Sequence, residues 1–580
     1  MNSRSGGNGT VRPPLAGGPA VLHAQRHFEE VLAGVPCRYL VCAGSGCVSN
    51  GSLQVLEALR AATGVEGGAG AVDTADGTLT RAVTISGCHG FCARGPLVRV
   101  EPHGWLYTGV RPEHVPALVG RVERGEQGPD ELLYHDPLTG QVHLREHEIP
   151  FYRHQLRITL RNCGVIDPED VRTYIARGGY AALARVLSDL TPAEVIAAVS
   201  ASRLRGRGGA GFPTGLKWHL TRQQPAPRRF VICNGDEGDP GAFMDRSVME
   251  GDPHAVLEGM LIAGYAIGAS EGYVYVRHEY PLAVSRLKHA VEEAAAWGLL
   301  GPSVLGTSFA FQVHIREGAG AFVSGEETAL IRSIQGERAT PYMRPPYPSE
   351  RGLWGYPTCI NNVETLATVP LIVTRGPEWY AGLGTDLSGG TKVFALTGTI
   401  QNTGLIEVPL GTPLRHIVEK IGGGARAGRR IKAVQIGGPS GGCLPEALLD
   451  TPVDYENLQA TGAIMGSGGL VVVDDATCMV DLARFFLSFT QDESCGKCVP
   501  CRIGTRKMLG TLTRITRGQG RADDLEALGR LAQTVCTASL CGLGRTAPNP
   551  VLTTLRYFRE EYEAHIRDRR CPAGTCAIQG

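Results

Sequence analysis

The sequence predicts a multidomain α/β chain that opens with a small strand–helix–strand unit and closes in a helical bundle. Three observations carry this: the length, the change of hydrophobic period along the chain, and the grouping of the cysteines. With 580 residues, the chain exceeds what one core supports, since single hydrophobic cores stop growing near ~250 to 300 residues. Hydrophobic residues make up 43% of it, enough for several packed cores. Acidic and basic residues are interspersed and balance to a formal net charge of zero, which argues against a nucleic-acid footprint or a polybasic membrane anchor.

Met1 to Ala20 is rich in Gly, Pro, Ser and Arg and lacks the apolar core of a signal peptide. No run of about 18 apolar residues follows, so no membrane insertion is expected and a cytoplasmic setting is. Seventeen cysteines in such a chain point to reduced thiols and metal ligation rather than a disulfide framework.

The run Tyr39–Val41 leads into Cys42-Ala-Gly-Ser-Gly-Cys47, and Ala82–Ile85 leads into Cys88-His-Gly-Phe-Cys92. Between them Ser52–Ala62 has helical periodicity, with Leu53, Val55, Leu56 and Leu59 on or near one face. Two loops at one end of a small sheet would then offer four thiolates, which suits a 2Fe-2S cluster. A zinc site is the rival; a thioredoxin-like dithiol would need a C-x-x-C pair that is absent. His89 reads as an ordinary surface histidine.

In the middle, Gly206-Arg-Gly-Gly-Ala-Gly211 matches a dinucleotide fingerprint, but a helix starting after Thr191-Pro192 precedes it where that fingerprint needs a strand. The loop still exposes amides able to cradle a phosphate, with Arg207 and Lys217 as nearby cations. Asn234–Gly241 and Gly318–Thr328 place carboxylates beside glycines, fit to hold ribose or ribityl hydroxyls. The EF-hand spacing is missing from the first of them. Asn361 and Asn362 offer amide donors and acceptors.

From about Val480 the period is helical. Cys495, Cys498 and Cys501 stand at i, i+3 and i+6, a cubane-cluster pattern, with Cys541 or Cys536 as the fourth thiolate. Zinc sites more often come as two C-x2-C knuckles. Cys571 and Cys576, close to the end, read as a structural or unused tail.

Taken together, Gly206–Trp218, Cys233–Arg246, Gly318–Leu330, Arg344–Pro348, Asn361–Thr365 and Ser494–Cys501 closely resemble the NADH-binding flavoprotein (51 kDa-type) subunits of respiratory complex I. The same subunit type is the diaphorase of soluble NAD-reducing hydrogenases and formate dehydrogenases. The resemblance implies FMN at Gly206, Arg207, Gly208, Gly209, Lys217, Asn234, Asp236, Glu237, Gly325, Glu326, Asn361, Asn362 and Thr365. It implies NADH at Phe212, Trp218, Asp239, Glu327, Arg344 and Tyr347, with Glu327 orienting the dinucleotide and no side chain acting as acid or base on the hydride. Asp239 stands where relatives usually carry Glu, and Trp218 and Arg344 replace a common Phe and Lys.

The resemblance selects Cys541 over Cys536 for the 4Fe-4S cluster, and it matches Cys42, Cys47, Cys88 and Cys92 to a thioredoxin-like 2Fe-2S protein fused in front, as in the hydrogenase and formate dehydrogenase arrangement. The implied order is a disordered segment (1–30), the thioredoxin-like 2Fe-2S domain (31–125), a linker (126–150), a Rossmann-like α/β FMN and NADH domain (151–385), a β-grasp module of SLBB type (386–472), a helical 4Fe-4S domain (473–570) and a tail (571–580). The implied activity is that of an FMN-dependent NADH dehydrogenase, passing electrons to or from other subunits of a hydrogenase or formate dehydrogenase type complex. The alternatives are the input subunit of a respiratory or electron-bifurcating complex, and a non-catalytic iron–sulfur scaffold or redox sensor.

Overall fold

The computed structural model describes residues 14–65, 82–426 and 428–578. Its first sheet has four strands in the order Ala82–Ser86, Arg38–Cys42, Val98–Glu101, Trp105–Tyr107. The first pair is parallel and the rest antiparallel, which is the thioredoxin-like arrangement. Helix Ser52–Thr63 makes the crossover and buries Val55, Leu56 and Leu59. Leu53 is exposed, because at 100° per residue it falls beyond the edge of the stripe centred on Val55, Leu56 and Leu59.

Two segments expected to lack structure have it. Gly17–Ala33 is a helix whose buried Val21, Ala24 and Phe28 form its inner stripe, with Phe28 packed edge-on to Trp297 at 5.7 Å. Residues 1–13 of that segment lie outside the described residues. The supposed linker holds a short hairpin, Tyr134–His135 with Val142–His143, and binds back to the sheet through Leu106 N–H to Leu144 O (2.8 Å) and Thr108 N–H to Leu132 O (2.7 Å). Its apolar Leu132, Leu133 and Tyr134 are buried, a pattern that the charged, His-bearing residues around them conceal.

The second sheet is wholly parallel, in the order Thr358–Asn362, Phe230–Gly235, Glu271–Arg277, Gln312–Gly318. Its central strands Phe230–Gly235 and Glu271–Arg277 are buried along most of their length, as fits a sheet covered on both faces, and helix Pro253–Ile267 is buried along almost its whole length beside it. A five-stranded sheet follows, ordered Gly404–Pro409, Thr391–Gly398, Gly469–Asp474, Ile431–Ile436, Gly442–Pro445. The chain then becomes helical in Met479–Asp492, Val499–Thr516, Asp524–Ala538, Asn549–Tyr557 and Arg559–Arg567. No helix among the described residues is long and apolar enough to cross a membrane.

Buried charge fastens the five-stranded sheet to the segment Ile158–Leu160 and to helix Val363–Arg375, which follows the strand Thr358–Asn362 of the parallel sheet. The Glu407 carboxylate, on the edge strand of the five-stranded sheet, accepts the amides of Ile158 (2.8 Å), Thr159 (2.9 Å) and Leu160 (3.0 Å) and the Thr391 hydroxyl. Beside it, Lys392 and Glu364 form a fully buried ion pair, and Glu364 also accepts the Val393 amide at 2.9 Å.

Candidate active site

Four of the segments singled out in the sequence lie at the carboxyl ends of the parallel strands. Gly235-Asp236-Glu237 ends one, Gly318–Phe322 another and Asn361–Asn362 a third, while the Gly206–Gly211 loop lies between helices Pro192–Ala201 and Thr214–Gln223 and reaches the same end. In open parallel sheets ligands bind outside these carboxyl ends, where loops diverge and backbone amides are free.

The glycine loop is held from the five-stranded side. Tyr455 donates its hydroxyl to Gly206 O at 2.8 Å, and the Arg205 guanidinium lies 4.3 Å over the Tyr455 ring. Gly209 and Gly211 have φ of +113° and +65°; a Cβ on Gly209 would strike the Gly466 backbone, and one on Gly211 the Tyr455 ring. Only glycine fits either place. Gly208 is exposed on the open side, so the loop keeps a surface that a phosphate could approach.

Lys217 points into the cleft. Its ammonium donates to Glu327 Oε1 at 2.6 Å and to Ile360 O at 3.0 Å. Burial is the largest single influence and depresses this lysine, but the Glu327 carboxylate and the Cys359 thiol together outweigh it and leave its pKa raised, so it stays cationic. Glu327 Oε2 also lies 3.5 Å from Arg344. Phe212 and Tyr347 are exposed at the mouth, with cations 5.9 Å from each ring, Lys217 over the first and Arg344 over the second.

Asp236 tests whether a flavin polyol fits. Its two carboxylate oxygens are buried and have no hydrogen-bond partner among the described residues, and burial pushes its pKa up to about 7. A buried acid in want of donors matches a ligand rich in hydroxyls. Asn234 braces this corner, its Nδ2 donating to Gly325 O (2.9 Å) and its Oδ1 accepting the Asp236 amide (3.1 Å). Asp239 turns instead to the five-stranded sheet, bonded by Ser467 and packed on Gly438; burial first of all raises it to about 6.

Several expected ligand contacts are already committed elsewhere. Trp218 is fully buried and donates to Asn361 Oδ1 at 2.9 Å, so it cannot stack on a dinucleotide from there. The Arg207 guanidinium is buried against Thr391 O, Gly389 O, Arg205 O and Tyr380, facing away from the loop it was expected to neutralise. Thr365 accepts the Arg207 amide (2.8 Å) from beneath. Glu237 caps the helix Met244–Gly251 through the amides of Asp245 and Arg246, both at 3.0 Å, and Glu326 caps Glu327–Ile334 through Thr328 (2.9 Å) and Ala329 (3.0 Å). Asn362 Nδ2 is held by Asp245 at 2.6 Å. These side chains shape the cleft from behind. Apolar and charged residue types alone could not reveal which way each one faces.

Cys498 and Cys541 are the N-caps of helices Val499–Thr516 and Gly542–Thr546. Cys501 is near enough to Cys495, Cys498 and Cys541 for their charges to act on it, and Ser494 Oγ lies 3.2 Å from its sulfur. A Cβ on Gly544 would come within 3.0 Å of the Cys501 Cβ, so the turn after Cys541 packs directly on Cys501. Cys536 faces elsewhere along Asp524–Ala538 and is perturbed by burial and its own backbone, not by the other sulfurs. The donor set around Cys501 suits a multi-iron cluster.

At the other end of the chain Cys88 and Cys92 hold their sulfurs 3.8 Å apart, and Cys42 touches both Cys47 and Cys88. The Gly90 amide donates to Cys88 Sγ at 3.4 Å, and any side chain on Gly95 would strike Cys47 Sγ. His89 is no surface residue. It is buried against Gly164, bonded to Ser86 Oγ at 2.9 Å, and burial pushes its pKa down to about 3.

Family models match three stretches: a Nuo51 FMN-binding domain over 199–371, an SLBB domain over 393–444 and an NADH-ubiquinone oxidoreductase-F iron–sulfur binding region over 481–565. The chain is 56% identical over 422 residues to the NADP-reducing hydrogenase subunit HndC of Solidesulfovibrio fructosivorans, covering 73% of this chain and 86% of that one. It is 47% identical over 415 residues to the second F-type subunit of the NADH-quinone oxidoreductase of Rhizobium meliloti, covering 72% and 99%. An NAD+-reducing NiFe-hydrogenase in its H2-reduced state superposes with a TM-score of 0.64 at 31% identity, over 95% of this chain and 90% of that one. With a parallel-sheet cleft, a β-grasp brace and a cysteine-bearing bundle in one order, the chain belongs to the NADH-binding flavoprotein family that unites the F-type subunits of NADH-quinone oxidoreductases with the hydrogenase diaphorases.

Proposed function

We propose that this chain is the FMN-dependent NADH dehydrogenase subunit of a multi-subunit redox complex of the soluble hydrogenase or formate dehydrogenase type. One observation carries the reading: the cleft and the cysteine face of the bundle share a wall. The Phe322 amide donates to Glu493 Oε2 at 3.0 Å, Lys497 donates to Pro341 O, and the Glu326 carboxylate is near enough to act on Cys541. A site for a two-electron donor thus abuts a site for a one-electron carrier.

Bound FMN supplies the chemistry that joins them, since a flavin takes up a hydride and gives out electrons singly. The chain's own residues bind and orient. Lys217 and the loop amides of Gly206–Gly209 would meet the phosphate, and Asp236 the ribityl hydroxyls. Phe212 and Tyr347 offer exposed ring faces to the dinucleotide, with Arg344 and Glu327 fixing its register. Trp218 and Asn361 set the floor. Cys495, Cys498, Cys501 and Cys541 would hold the 4Fe-4S cluster that leads out to the partner. Cys42, Cys47, Cys88 and Cys92 would hold a 2Fe-2S side or storage site; Ser45, in the loop between Cys42 and Cys47, donates to Glu250. No disulfide joins the cysteines among the described residues, which suits a reducing compartment such as the cytoplasm.

Cys498→Ser separates the two halves of this proposal. Anaerobic NADH should still bleach the flavin of the purified variant, while transfer to the partner falls by at least a hundredfold. Onward transfer at the parent rate would overturn the path.

A further inference from the structure

We propose that Cys478, His565, Cys571 and Cys576 form a structural zinc site that fastens the C-terminal tail to the root of the cluster-bearing bundle. Their ligand atoms all lie within 4.8 Å of one another, and among the described residues no other group of three or more such side chains converges as closely. Cys478 Sγ is 3.6 Å from His565 Nε2 and 3.6 Å from Cys576 Sγ, and His565 Nε2 is 3.4 Å from Cys576 Sγ. Tetrahedral zinc with Zn–S of about 2.3 Å and Zn–N of about 2.0 Å requires ligand separations of roughly 3.5 to 3.8 Å. The four groups already stand at the vertices of a single-ion site.

The surroundings are those of a metal centre. His565 is fully buried, and its Nδ1 lies 2.7 Å from Glu561 O, which selects the tautomer that leaves Nε2 unprotonated and pointing at the three sulfurs. The Asp481 amide reaches Cys478 Sγ at 3.5 Å, and amides of Thr575 and Cys576 reach Cys571. Three thiolates and one imidazole with no vacant side make a closed donor set, the kind structural zinc takes. Binding Zn2+ would release the three thiol protons and leave a centre of net charge −1.

The ligands come from both ends of the last domain. Cys478 follows the central strand Gly469–Asp474 of the five-stranded sheet and caps Met479–Asp492, the helix that delivers Cys495. His565 lies on the final helix, and Cys571 and Cys576 on the tail, whose Ile578 packs on Gly518. The tail is therefore neither idle nor a partner's ligand set. The ion would fix how the bundle sits on the β-grasp module.

Metal analysis of the purified full-length holoprotein tests this. We expect about one zinc per chain besides the iron, with zinc-edge X-ray absorption fitting three sulfurs and one nitrogen. Cys571→Ser with Cys576→Ser should lose that zinc while keeping flavin and iron. Should the double variant fail to fold, the absorption spectrum of the parent protein decides alone. The proposal is overturned by zinc-free protein in which these cysteines titrate as free thiols, by a Cys478–Cys576 disulfide, or by iron in place of zinc at this site.

Discussion

At the joint where the five-stranded sheet meets the segment Ile158–Leu160, the Glu407 carboxylate is fully buried and takes three backbone amides and a hydroxyl, while in the cleft the Asp236 carboxylate is buried with neither oxygen bonded. The same contrast holds for cations. Lys392 is enclosed with Glu364, whereas Lys217 is part-exposed and shares Glu327 with Arg344. Buried polar groups are almost always satisfied, so a satisfied acid marks architecture and an unsatisfied one marks the place of a missing partner. The two regions can be told apart by what each residue's removal disturbs.

The largest effect is expected at the joint. Glu407→Ala strands three buried amides, each worth about 1–3 kcal/mol, so chemical denaturation should show a loss of at least about 3 kcal/mol. Flavin spectra of the remaining folded protein should be unaltered. Lys217→Met should do the reverse: with a charge-assisted bond worth about 1.5–3 kcal/mol removed, FMN affinity measured by fluorescence quenching falls roughly 10- to 100-fold. Stability of the FMN-free protein hardly changes. Full flavin retention in this variant would move Lys217 to the architectural class.

The smallest effect concerns pH and Asp236. An acid whose pKa rises from 3.8 unfolded to about 7 folded holds its proton more tightly in the native state. Its contribution is complete below 3.8 and is lost as pH climbs through about 7. In FMN-free protein, Asp236→Asn should therefore raise the melting temperature at about pH 8 by a few degrees and leave it nearly unchanged at about pH 4, while FMN binding weakens. An equal shift at both pH values would show that the Asp236 charge costs nothing, and that the cleft resembles the joint.

Much of this was legible beforehand where chemistry is local. Glycines at 206–211, the i, i+3, i+6 cysteines and the acidic turns mark themselves, because ligand spacing and positive φ are properties of a few adjacent residues. The departures share one cause. Trp218, Arg207 and Thr365 stand in the right motif but face inward, because helix Thr214–Gln223 and the loop before it are packed against strand and β-grasp residues more than a hundred positions away. Helix Gly17–Ala33 and the hairpin near Tyr134 were hidden for a similar reason: their apolar partners, Trp297 among them, are remote in sequence.

By itself, then, the sequence determined the order of the modules, the cofactor chemistry their motifs admit and which cysteines belong to the N-terminal set, since each is encoded within a short window. Tertiary structure decided which motif residues face the cleft, set Cys541 rather than Cys536 beside Cys501, and brought Cys478 to Cys571 and Cys576 across nearly a hundred residues. The physical reason is that burial and hydrogen-bond partners belong to the packed whole, and no local pattern specifies what a side chain will find on the far side of a core.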